Sequence, residues 1–253
     1  MKTPTIRWEF GTAYEFFVSL YVLHHPENYG LDAAKAASIL SDISAAERKF
    51  LEEIVPFIGM PLAWATELPD PKDAMSVLWG LRQTPAQYRL SSLMNLDERN
   101  DDVSKTLLKV IEDEQWSDAQ FDLIAEKFIN QKSVLTPFLD WCVKPEACGE
   151  ALFLSLQAYY KVYFDDEEKR IEPFLQAGLE KAKTLAEGLE LKALMQALSQ
   201  SIAFDNQQMN FDEILFIPAF WATPLALLNP INKHKALFLF GARPANMAAF
   251  PAD

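Results

Sequence analysis

Apolar and polar residues alternate through Ile6-Arg7-Trp8-Glu9-Phe10, the period of a short half-buried strand at about 5–10. Gly11 breaks the run. Thr12-Ala13-Tyr14-Glu15 then has the form of a capping box, in which the Thr12 hydroxyl accepts from the Glu15 backbone N–H and the Glu15 carboxylate from that of Thr12. Tyr14, Phe17, Val18, Tyr21 and Val22 follow at helical spacing, and Pro26 stops the pattern.

Residues 12–200 read as helix after helix. Ser44-Ala45-Ala46-Glu47 is a second capping box, followed by Phe50, Leu51, Ile54 and Val55 on one face. Asp70-Pro71 and Thr84-Pro85 each place a capping side chain before a Pro at a first helical position, and Met75, Leu78 and Trp79 form a stripe after the first. Ser117-Asp118-Ala119-Gln120 opens a helix whose core face is Phe121, Ile124, Ala125 and Phe128. The strongest pattern runs over 145–171, with Leu152, Leu156, Tyr159, Tyr160 and Tyr163 along it. A charged stretch, residues 165–170, lies near its end, and Pro173 is expected to kink or end it. Leu175, Leu179, Leu185, Leu189, Leu194 and Leu198 mark a further helical stretch over 174–200, weakened by Gly178 and Gly188.

The character changes after Phe204. Ile214-Leu215-Phe216-Ile217, Pro224-Leu225-Ala226-Leu227-Leu228 and Ala236-Leu237-Phe238-Leu239-Phe240 are short apolar runs bounded by turn residues, which read as strands with a hairpin turn at 229–233. The expected fold is therefore mainly α (α+β): a multi-helix, bundle-like domain over 1–203 with a small C-terminal antiparallel β-sheet over 204–243 packed on it. Residues 244–253 carry no pattern and read as a linker.

Half of the 253 residues are hydrophobic and 12% are aromatic, enough to build a sizeable core. The net charge of −13 argues against a nucleic-acid-binding surface on this chain, because neutralising phosphate takes clustered Lys and Arg. Acidity concentrates over 97–126, where only Arg99, Lys105 and Lys109 oppose it. A solvated face is the plain reading, and a docking surface for a basic partner the sharper one. Cys142 and Cys148 match no zinc or redox spacing and read as reduced thiols, which suits the cytoplasm. No uncharged apolar run reaches the ~18 residues of a membrane span; 214–228 is broken by Pro218 and Pro224.

No catalytic constellation stands out: there is no Gly-rich phosphate loop and no G-x-S-x-G elbow. His24 and His25 are adjacent, so on a helix they diverge and cannot readily share a metal; they suit a helix C-terminus instead. No metal or cofactor is expected. Tyr159, Tyr160, Tyr163 and Trp221 are candidates to line a pocket for an apolar or planar ligand, with their hydroxyls and indole orienting it, although such residues are more often core.

Three stretches resemble the helical N-terminal domain, itself uncharacterised, of bacterial ArsR-like winged helix-turn-helix regulators. The first is Ala13-Tyr14-Glu15-Phe16-Phe17-Val18-Ser19-Leu20-Tyr21-Val22-Leu23, followed by a His-Pro segment. The second is Tyr159-Tyr160-Lys161-Val162-Tyr163-Phe164, followed by a charged stretch and a Pro-x-Leu helix. The third is the closing set of strands ending Leu239-Phe240-Gly241-Ala242-Arg243. The resemblance implies an effector-sensing or dimer-shaping domain in a homodimer, with DNA reached only through a winged helix. Residues 1–253 hold no such reading segment, with its short helix, turn and basic recognition helix. A stand-alone acidic interaction module is the alternative, and an enzyme of unknown reaction a second.

Overall fold

The computed structural model describes residues 3–199 and 210–250. Strand β1 (Thr5–Trp8) leads into α1 (Thr12–His24), and a 3-10 turn (Pro26–Tyr29) carries the chain to α2 (Ala33–Ser41) and α3 (Ala45–Ile58). Then come α4 (Leu62–Thr66), α5 (Ala74–Gln83), α6 (Ala86–Leu93), α7 (Asp102–Asp113), α8 (Asp118–Lys127) and α9 (Lys132–Cys142). Helix α10 (Pro145–Tyr159) passes through a π-helical turn (Tyr160–Phe164) directly into α11 (Asp165–Ala186), and α12 (Leu191–Leu198) follows. Strands β2 (Glu213–Ala219), β3 (Leu227–Pro230) and β4 (Lys235–Gly241) complete a four-stranded sheet of order β1-β2-β4-β3. The protein is mainly α with a C-terminal β-sheet, as expected. Among the described residues no helix is long and apolar enough to cross a membrane.

Helix α1 is the centre of the molecule. It packs on α3, α5 and α11, and Thr12 through Leu20 are all buried. Helix α10 crosses α6 so closely that a Cβ on Gly149 would lie 1.8 Å from the Ala86 carbonyl oxygen. The sheet is covered on both sides. Leu215, Ile217, Leu237 and Leu239 join the main helical core, while Ile214, Phe216, Ala236, Phe238 and Phe240 face α12 and the Ala182 end of α11.

That two-sided burial corrects the antiparallel expectation. β1 runs parallel to β2, with Thr5 opposite Glu213, and β2 runs parallel to β4, with Phe216 opposite Phe238; only β3 is antiparallel to β4. Continuous apolar runs without alternation are what a parallel strand buried on both faces requires. The third strand begins at Leu227, so Pro224 lies in the connecting loop, and the hairpin closes with Ile231 donating to the Lys235 carbonyl (2.9 Å).

Four local expectations also shift. The Thr12–Glu15 capping box does not form: Gly11 is the N-cap, Thr12 donates to Glu168, and Glu15 turns into the core. Asp73 caps α5, not Asp70. Pro85 is itself the N-cap residue of α6, and no side chain caps that helix. Pro173 neither ends nor breaks α11; it sits on the exposed face, where solvent can replace the bond it omits. The Ser44 cap and the full Ser117–Gln120 capping box form as read. The expected boundary at 203/204 lies outside the described residues. Residues 244–250, read as a linker, lie back on the core: Ala249 is buried, and the Phe250 ring is 5.5 Å from that of Trp221.

Candidate functional site

The three parallel strands end on one side of the sheet, at Trp8, Ala219 and Gly241. Crevices outside the carboxyl ends of parallel strands are where open α/β sheets place ligands. Here that side holds a buried polar centre with a cleft against each end of the strand row.

Glu15 lies at the heart of the centre. One turn on, Ser19 donates to the Glu15 backbone carbonyl (2.6 Å), which leaves the Ser19 oxygen to accept from the Tyr159 hydroxyl (2.8 Å). The Glu15 carboxyl oxygen Oε2 accepts from the Trp221 backbone N–H (3.0 Å), and Oε1 has no partner among the described residues. Burial pushes the Glu15 carboxyl up to about 8, with Glu167 adding to the rise and the Trp221 and Phe220 backbone N–H groups and Arg243 opposing it. At neutral pH Glu15 is therefore mostly an uncharged acid.

Trp221 is fully buried and bonds two acids at once, because its indole Nε1–H donates to Glu167 (2.9 Å). Glu167 also accepts from Arg170 Nε (2.7 Å) and Nη2 (2.5 Å), and Arg170 donates in turn to the Ala249 carbonyl (2.7 Å). Burial raises the Glu167 carboxyl, and the Arg170 pair resists that rise. The guanidiniums of Arg170 and Arg243 stand 4.8 and 5.6 Å from the Phe220 ring centre. Arg243 Nη2 donates to the Thr223 carbonyl (2.6 Å), while Arg243 Nη1 and the Tyr163 hydroxyl are buried without partners among the described residues.

One cleft, of about 670 Å³, opens at the end of β1. It is lined by Glu9, Thr12, Asp70, Lys72, Asp73 and Glu168 among others. Glu168 accepts from Thr12 and from the Ala74 backbone N–H (2.9 Å), and Lys72 pairs with Glu9 (2.5 Å). The other cleft, of about 430 Å³, lies at the end of β4, between α11, α12 and residues 241–245. Among the described residues no group of three or more His, Cys, Asp and Glu side chains is placed to hold a metal ion.

The structure brings three of the four candidate pocket residues together and separates the fourth. Tyr159 and Tyr163 lie 5.8 Å apart, with Trp221 6.3 Å beyond Tyr163. Tyr160 instead donates to Asp165 (2.8 Å). The three surround the buried acids and line neither cleft. His24 and His25 each donate from Nδ1 to the carbonyl one turn back, at 2.8 and 3.0 Å, and both cysteines are free and buried. Glu15, Glu167, Arg170 and Arg243 were not visible as site residues. A lone Glu in a helix apolar on every side was the available signal for Glu15; a charged stretch hid Glu167. Comparison with protein-family models, curated proteins and solved structures finds no match.

Proposed function

We propose that this chain is the effector-sensing and dimerisation domain of an ArsR-like transcriptional regulator, which contacts DNA through a winged helix that is not among these residues. One observation carries the reading. The three stretches that resemble such regulators are far apart in sequence, yet they supply a single buried centre: Glu15 and Ser19 from the first, Tyr159 and Tyr163 from the second, Arg243 from the third. Buried polar groups are normally satisfied, and three here have no partner among the described residues. A centre with open hydrogen-bonding groups can respond to a ligand, provided that the ligand binds two arrangements of the domain unequally.

The gene, read beyond the codon for Asp253, tests the reading first. A winged helix with a basic recognition helix in the same frame supports it; a frame without one overturns it. Light scattering on the purified chain tests the homodimer, which a monomer across the accessible concentration range would rule out.

A further inference from the structure

We propose that the cleft at the carboxyl end of β4 binds a small amphipathic anion, an organic acid whose head meets Lys181 and Arg243 and whose apolar body lies against Phe174, Leu185, Leu198 and Phe240. The inference rests on the effector-sensing reading only for its regulatory meaning; the binding chemistry stands on the cleft.

Sign is the first argument. Acidic residues outnumber basic ones by 36 to 23 in this chain, yet the described residues that line the cleft include a Lys and an Arg and no carboxylate. Lys181 makes no ion pair among the described residues. Arg243 is held in place by Thr223, its Nη2 on the carbonyl (2.6 Å) and its backbone N–H donating to the Thr223 hydroxyl (3.2 Å). A fixed guanidinium is a better anion receptor than a mobile one, because less freedom is lost on binding. Its Nη1 is buried without an acceptor among the described residues. The neighbouring Glu15 is mostly uncharged at neutral pH, so it does not cancel the cation.

Shape is the second argument. The cleft's volume, about 430 Å³, falls within the range of small-molecule sites, and Phe174, Leu185, Leu198 and Phe240 give it an apolar stretch beside the two cations and Thr223. Gly178 lets the end of β4 close over α11: a Cβ there would lie 2.6 Å from that of Ala242. The cleft is thus a built junction of helix and strand ends.

Isothermal titration calorimetry of the full chain with decanoate, decylamine and inorganic phosphate tests the proposal. Decanoate is expected to bind, decylamine and phosphate not. Lys181→Gln, at an exposed position, should weaken decanoate about five-fold, the worth of one exposed ion pair. Arg243→Gln should weaken it roughly ten-fold or more, as loss of a charge-assisted contact does. Lys192→Gln on α12, outside the cleft, should leave affinity unchanged. Equal binding of decanoate and decylamine, binding of phosphate as tight as that of decanoate, no decanoate binding at all, or unchanged affinity in Lys181→Gln overturns the proposal. If decanoate binds as described and the gene lacks a winged helix, the site stands and the regulator reading falls.

Discussion

Replacing Glu15 by glutamine isolates the energetic consequence of burying an acid at the centre of α1. In the unfolded chain this carboxyl releases its proton near 4.5, whereas in the fold it holds the proton up to about 8. Between those values the native state binds one more proton than the unfolded state. Stability is therefore complete below about pH 4.5 and is lost as pH rises, by about 1.4 kcal/mol per unit, until the folded group ionises near 8. At pH 7 the cost comes to roughly 3 kcal/mol. Glu15→Gln keeps an oxygen to accept from Trp221 and has no proton to lose. An amide nitrogen in place of Oε1 adds an offset that does not change with pH, so the slope is the test. Urea unfolding of both proteins at several pH values from about 5 to 8 should give a stability difference that moves in favour of Glu15→Gln by roughly 1.4 kcal/mol per pH unit. Glu167 and Glu168, also raised by burial, are present in both proteins and drop out of the difference. A difference that stays flat across that range refutes the assignment of Glu15 as a buried neutral acid.

Three further outcomes are expected. Gly149→Ala should cost about 2 kcal/mol or more in urea unfolding, because its methyl group cannot fit beside the Ala86 carbonyl; a wild-type midpoint would mean that α10 and α6 stand further apart. Cys142 and Cys148 should resist a thiol reagent at mildly alkaline pH until the chain is unfolded, since burial raises both thiols, that of Cys148 to about 12; prompt labelling of the native protein would contradict this. His24 should titrate near 4 by NMR, because burial disfavours its charged form. Its effect on stability has the opposite sign to that of Glu15: the unfolded histidine takes up a proton near 6.5 and the folded one does not, so stability falls as pH drops from 6.5 toward 4. A His24 midpoint at or above 6.5 would rule that out.

What the sequence revealed divides by the range of the forces involved. The Ser117–Gln120 box formed as read because both partners lie within one turn and face solvent. The same pattern at Thr12 and Glu15 failed because stronger partners arrived from a distance: Glu168 for Thr12, and Trp221, 206 residues away, for Glu15. Pro173 misled for a different reason. It lies on the solvent side of α11, where water can take the bond it omits, and the helix runs on to Ala186. The aromatic candidates were half legible. Tyr159, Tyr163 and Trp221 do meet, but what they enclose comes from charged residues whose burial no local pattern encodes. Strand direction depends on pairing between Thr5–Trp8 and residues at 213–216, which leaves no trace within either segment.

That last pairing governs the order in which a ribosome can deliver this fold. β1 is made well before its ladder partner, β2, and helices α1 through α12 lie between them. Sheet closure thus has to wait while the helices between them are synthesised, and non-local pairing of this kind is slow to form. During that wait Glu15 has no Trp221 to bond and no loop to exclude water, so it is ionised as in any solvated peptide. Pairing of β2 and arrival of the Trp221 loop thus accompany the change of Glu15 from a solvated carboxylate to the buried, mostly uncharged acid of the finished fold.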